Sequence, residues 1–124
     1  MPPTKLLLGQ STIKTNASAL VRHPMEQIRV LNTYTITCVN NIELYDVLVC
    51  SEQITPVLVT HEGGGAFLAV GVIRATDSIG VLCIVAAAGF SLALSGLVEA
   101  FIDGVQMLIV SGGIRTDMEQ SFQL

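Results

Sequence analysis

Apolar residues along the chain fall into two recurring patterns: short continuous runs rich in β-branched side chains, and longer stretches with helical spacing. Thr33 to Val39 (TYTITCV) reads as a strand, and Ile42 to Val49 (IELYDVLV) puts Ile42, Tyr45 and Val49 on one helical face. Gln53 to Pro56 closes that helix, because the residue before a proline resists the α region. Pro56 to Thr60 (PVLVT) is the next predicted strand, and a helix follows from about Gly64 to Ala75. Then come a strand from Ile79 to Val85, a turn over Ala86 to Phe90, a helix from Ser91 to Ile102 with Ser91 as its N-cap, and a strand from Val105 to Val110. Continuously apolar strands that alternate with helices pair in parallel through right-handed crossovers. The expected fold class is therefore α/β, an open parallel sheet with helices on both faces. Four strands and a polar tail, IRTDMEQSFQL, that looks like the way into another helix fall short of the five or six strands common in such sheets. The sequence thus reads as incomplete at its C-terminus.

The same pattern weighs against a membrane protein. No charged side chain occurs from Ser78 to Val98, which is long enough to span a bilayer. The near flanks, however, are Asp77 on one side and Glu99 and Asp103 on the other, with Arg74 alone nearby, and a membrane helix usually has Lys or Arg on its cytoplasmic flank. The segment also divides itself: IGVLCIV is β-branched, AAAGF is small and turn-like, and SLALSGLVEAF returns to helical spacing. A buried strand, turn and helix accounts for all three parts.

Composition narrows the classes further. With 124 residues, 51% of them hydrophobic and only 13% charged, one domain can bury enough surface to offset its ordering entropy, which excludes disorder. Six Lys and Arg against ten Asp and Glu give a net charge of −4 and leave no basic surface for phosphates, so no nucleic-acid partner is expected. Cys38, Cys50 and Cys83 lie too far apart for a CxxC pair or a metal knuckle, and each sits in an apolar run. They read as three buried thiols in a reducing compartment, hence a cytoplasmic protein. The N-terminus reads as a poorly defined leader over residues 1–17, followed by the domain over 18–124. The first stretch holds Lys5, Lys14 and Arg22 and no acid before Glu26, so an organelle transit peptide is the alternative.

Open α/β sheets bind ligands outside the carboxyl ends of their strands. The segments to inspect are therefore Cys38 to Asn41, His61 to Gly65, Ala86 to Ser91 and Ser111 to Gly113. Among them the run Thr60-His61-Glu62-Gly63-Gly64-Gly65 stands out, with a carboxylate at a strand's end and three glycines that let another molecule approach the backbone. The plain reading of Glu62 is a helix-terminal acid that favours the dipole, and of the glycines a loop. Rival motifs fail on residues. GGGAFL lacks the third glycine of a dinucleotide fingerprint, no GK[ST] follows for a P-loop, and HEGGG has no second histidine for a zinc site. Gly89-Phe90-Ser91-Leu92-Ala93 lacks the last glycine of a nucleophile elbow, and no base for Ser91 is evident. Neither His23 nor His61 has a ligand-like partner, so no metal site is expected.

The register around Glu62 carries a resemblance. PVLVTHEGGGAFLAVGVIRATDSIGVLCIV resembles the N-terminal, pyrimidine-binding domain of thiamine diphosphate enzymes of the acetolactate synthase and 2-oxo acid decarboxylase group. There a strand ends in HE, a helix of the form AxxAxGxxRxTG follows, and the next strand begins with GV. Ala66, Ala69, Gly71, Arg74, Ala75, Thr76, Gly80 and Val81 fall in that register without a gap. Gly89, Gly96, Ala100, Asp103 and Ser111-Gly112 fit the next loop, helix and strand, Ser121-Phe122-Gln123 resembles an AFQ segment, and Asn41 to Asp46 resembles the helix after the first strand. The likeness covers roughly residues 19 to 124. It implies thiamine diphosphate as cofactor and a 2-oxo acid as substrate. It also implies that Glu62 is the catalytic glutamate, which hydrogen-bonds N1′ of the aminopyrimidine and favours the imino tautomer that takes the proton from C2. Gly63, Ala87, Ala88 and Gly89 would join Glu62 in binding the cofactor.

The chain departs from the family pattern at several points. Thr35-Ile36-Thr37-Cys38 stands where the family has a GVPG turn, Ala87-Ala88-Gly89 where it has a GPG-like loop, Asp77 where it has the glycine after Arg-x-Thr, and Gln106 where it has a proline. Pro24 interrupts what should be the first helix. The family holds the diphosphate through Mg²⁺ with a GDG…N motif in a separate C-terminal domain, and Asp103-Gly104 lacks both the leading glycine and the asparagine. The resemblance therefore implies a homo- or hetero-oligomer with a diphosphate-binding domain or subunit, and no activity of the chain alone. The alternative is a catalytically inactive, degenerate domain that serves structure or dimerisation.

Overall fold

The computed structural model describes residues 16–113. Four helices and four strands alternate: α1 (Ala17–Gln27), β1 (Asn32–Thr35), α2 (Ile42–Val49), β2 (Thr55–Leu58), α3 (Glu62–Ala75), β3 (Gly80–Ile84), α4 (Ala88–Ile102) and β4 (Met107–Ser111). All strand pairs are parallel, in the order β2-β1-β3-β4. Register is set with Tyr34 opposite both Val57 and Leu82, and Leu82 opposite Ile109. The expected α/β sheet covered on both faces is present.

Two cores follow from the alternation of side chains along β3, all five of whose residues are buried. Val81 and Cys83 join Met25, Val30, Leu48 and Ile54 on the face covered by α1 and α2. Leu82 and Ile84 join Tyr34, Ala66, Ala69 and Ala93 under α3 and α4. Burying a side chain such as Leu82 is worth about 1.5–3 kcal/mol, so this central strand anchors both layers. Helices α3 and α4 pack closely because Gly96 has no side chain; a Cβ there would collide with that of Ala66.

The uncharged stretch resolves into β3, a turn and most of α4, and among the described residues no helix is long and apolar enough to cross a membrane. Several expectations need correction. Strand β1 stops at Thr35 because Asn41 claims the following backbone: its Oδ1 accepts from the Cys38 N–H at 2.6 Å and its Nδ2 donates to the Ile36 carbonyl at 2.8 Å. The inward face of α2 carries Leu44 and Leu48, while Ile42 and Val49 are more than half exposed. Of the three thiols only Cys83 is buried, since Cys38 lies in the loop after β1 and Cys50 is the C-cap of α2. Helix α4 begins at Ala88, so Ser91 is no N-cap but sits inside the helix, with its hydroxyl donating to the Ala87 carbonyl. Helix α1 runs through Pro24 rather than being interrupted there, and it packs into the core through Met25. Residues 1–15 of the expected leader and the tail from 114 lie outside the described residues.

Candidate active site

Strands β1 and β3 are neighbours, but the chain leaves β1 toward β2 on one side and leaves β3 toward β4 on the other. Their carboxyl ends therefore form the switch point at which an open α/β sheet leaves a crevice. Two tethers keep the rim in place: the Val59 N–H donates to the Thr35 carbonyl at 2.9 Å, and the Gly112 N–H to the Ile84 carbonyl at 3.4 Å. Helix α3 enters beside this rim and crosses over β1 and β3.

Glu62 is the first residue of α3. It is only 8% exposed, the one buried acid among the described residues, yet its carboxylate makes no hydrogen bond or ion pair to any of them. Its side chain reaches α4 instead. A Cβ built on Gly89 would stand 3.1 Å from Glu62 Oε1 and 2.6 Å from a methyl of Val85, so glycine there lets Glu62 and Val85 pack directly against the start of α4. The Glu62 oxygens are not among the buried polar atoms left without a partner, so they reach the crevice, where water or a ligand can pair with them.

The start of α4 adds a second polar feature. Its N-cap, Ala87, has φ 56° and ψ −94° and supplies no capping side chain. The N–H groups of Ala88, Gly89 and Phe90 donate to no acceptor among the described residues, as the first turn of an uncapped helix must. The structure thus brings Glu62, Gly89 and the Ala87-Ala88 turn together. Gly63 is buried one position further on, facing the Leu92 carbonyl of α4 rather than the crevice.

Three cavities among the described residues have linings that do not include Glu62. The largest of these three, about 710 Å³, lies on the opposite face between α1, the β1–α2 loop and the end of β4. His61 is a residue whose part the sequence reading missed. It caps α3, and its position one before the glutamate at a strand-to-helix junction was the available signal.

Residues 15–123 match the thiamine pyrophosphate enzyme family, N-terminal TPP binding domain. The chain belongs to that family. It is similar to the acetolactate synthase isozyme 3 large subunit of Escherichia coli (strain K12), at 31% identity over 77 residues, 62% of this chain and 13% of that protein. It is 35% identical over 78 residues to acetolactate synthase 2, chloroplastic, of Nicotiana tabacum, covering 63% of this chain and 12% of the relative. With acetolactate synthase 1, chloroplastic, of Oryza sativa subsp. japonica it shares 29% identity over 110 residues, 89% of this chain and 17% of the relative. The matched region is thus less than a fifth of each relative's length. For a thiamine pyrophosphate-binding domain the arrangement at Glu62 fits such a ligand: a carboxylate at the sheet's switch point, against Gly89 and without a hydrogen-bond or ion-pair partner among the described residues.

Proposed function

We propose that this chain supplies the pyrimidine-binding part of a thiamine diphosphate-dependent lyase or carboligase acting on 2-oxo acids, with Glu62 as the cofactor-activating acid. The observation that carries the reading is Glu62, a largely buried side chain at the sheet's switch point whose carboxylate lies against Gly89 and has no hydrogen-bond or ion-pair partner among the described residues. When bound, the cofactor supplies an electron sink for the bond to carbon dioxide that a 2-oxo acid loses. The chain's own contribution is positional and acid–base. Glu62 shares a proton with the pyrimidine N1′, Gly89 lets the Glu62 side chain lie against the start of α4, and the free N–H groups there present donors at the same rim. The diphosphate and Mg²⁺ are held by a separate domain or subunit, so the active species is a homo- or hetero-oligomer. The unpaired state of Cys38, Cys50 and Cys83 supports a reducing location such as the cytoplasm.

The test is exchange of the C2 proton of thiamine diphosphate in an assembly reconstituted with a diphosphate- and Mg²⁺-binding partner domain. Glu62→Gln is expected to slow exchange by a factor of about 100 or more while the fold is retained. Undiminished exchange would overturn the assignment of Glu62. A second reading, an inactive domain that serves structure or dimerisation, draws support from the absence of Glu62 from the three cavities named above and from the loop that Asn41 imposes after β1. Calorimetric titration of the reconstituted pair separates the two, since Glu62-dependent cofactor binding contradicts a purely structural role.

A further inference from the structure

We infer that His61 is the positioning residue for Glu62, and that it acts only as a neutral imidazole with Nδ1 unprotonated. The inference rests on the assignment of Glu62 given above. His61 holds extended backbone, φ −154° and ψ 132°, and its carbonyl accepts the first helical bond of α3 from the Gly65 N–H at 3.0 Å. Its ring closes back on the same turn, where Nδ1 accepts from the Gly63 N–H at 3.1 Å. The residue between these two anchors is Glu62. A Cβ on Gly63 would stand 3.0 Å from the ring's Cε1 and 3.1 Å from the Leu92 carbonyl oxygen, so ring, glycine and α4 form one stack that fixes the first turn against its neighbour. Glu62 keeps its inward direction because the backbone on either side of it cannot rotate.

Histidine is an unusual choice for this position, where Ser, Thr, Asp and Asn lead. Unlike them it stops capping when it gains a proton. A neutral imidazole that accepts at Nδ1 carries its proton on Nε2. The doubly protonated ring has no acceptor, turns a donor toward the Gly63 N–H, and sets a positive charge against the positive end of the α3 dipole. Few other charges bear on the ring. It is exposed beside a cleft of about 240 Å³ whose other lining residues, Leu58, Val59, Thr60, Gly64 and Leu68, are not ionisable, and α4 presents the Leu92 carbonyl. Glu62 is the adjacent acid, and His61 makes no ion pair among the described residues.

The experiment uses isotope-labelled full chain without cofactor. Long-range proton–nitrogen correlation is expected to show the Nε2–H tautomer of His61 near neutral pH. On acidification the Gly63 amide signal is expected to move together with the His61 ring signals. Losing the cap in His61→Ala should speed amide exchange at Gly65 about fivefold, the equivalent of roughly 1 kcal/mol, whereas His61→Asn retains slow exchange and removes the pH dependence. An Nδ1–H tautomer, a Gly63 amide indifferent to the ring's titration, or unchanged exchange in His61→Ala would overturn the inference. In the reconstituted assembly, C2 exchange slowed by His61→Ala and rescued by His61→Asn supports it. If Glu62→Gln leaves that exchange undiminished, the assignment of Glu62 falls while the spectroscopic result on His61 still stands by itself.

Discussion

Ala87 holds a backbone conformation that L-residues avoid. Its φ of 56° with ψ of −94° lies where a Cβ crowds the following carbonyl, a strain of about 1–3 kcal/mol. Glycine there would relieve the strain and give back about 0.4–1 kcal/mol through greater freedom of the unfolded chain. Ala87→Gly is therefore expected to stabilise the fold by about 1 kcal/mol, read as a higher urea midpoint at unchanged slope; a lower midpoint would show that the turn is not strained. Nothing in the side chain announces this, since alanine is the strongest helix former, and periodicity accordingly delayed the helix to Ser91. Only the likeness to a family with a glycine-proline turn there pointed to it. Glu62 was more legible, because an acid followed by three glycines at a strand's end is a local signal. Its setting in the fold was not, since the glycine that lets it lie against α4 belongs to a different helix.

Among the elements, α1 departs most from local rules. Pro24 lies within its eleven residues, where the ring removes a hydrogen bond to the Leu20 carbonyl and crowds it. The helix continues because tertiary contacts hold its last turn: Met25 is buried, the Ser51 hydroxyl donates to the Glu26 carboxylate at 2.7 Å, and the Gln53 amide donates to the Glu26 carbonyl at 2.7 Å. Pro24→Ala should then raise stability by about 1–3 kcal/mol, seen as more helical circular dichroism and a higher thermal midpoint. An unchanged midpoint would mean that the packing had already absorbed the strain of the proline. Elements made by periodicity alone, such as β3 and α3, were readable. Elements cut or extended by a distant side chain were not, as Asn41 ending β1 and the 51–53 segment holding α1 both show. Propensity sums cannot contain such bonds, because they depend on which loops meet.

At the scale of the whole molecule, the parallel sheet and its two covered faces follow from the alternation of strand and helix, but the order β2-β1-β3-β4 does not, because adding β3 beside β1 or beside β2 leaves the same pattern along the chain. The order matters for stability as well as for the site, since it puts Cys83 at the centre of the sheet. Desolvation there pushes the thiol from an ordinary value near 9 up to about 12, and burial raises the Tyr34 phenol above its usual 10 as well. Between about pH 9 and 12 the unfolded chain releases the Cys83 proton while the folded chain keeps it. The unfolded state then binds fewer protons, and stability falls as pH rises, by at most about 1.4 kcal/mol per unit from this group. Below 9 both states hold the proton and the contribution is flat. Urea unfolding at pH 8 and pH 10 is expected to show a loss that shrinks in Cys83→Ala, whereas equal losses in both proteins would place the alkaline sensitivity elsewhere. A thiol-specific aromatic disulfide offers an independent check, since exposed Cys38 and Cys50 should react in the native state and Cys83 only as fast as the sheet opens.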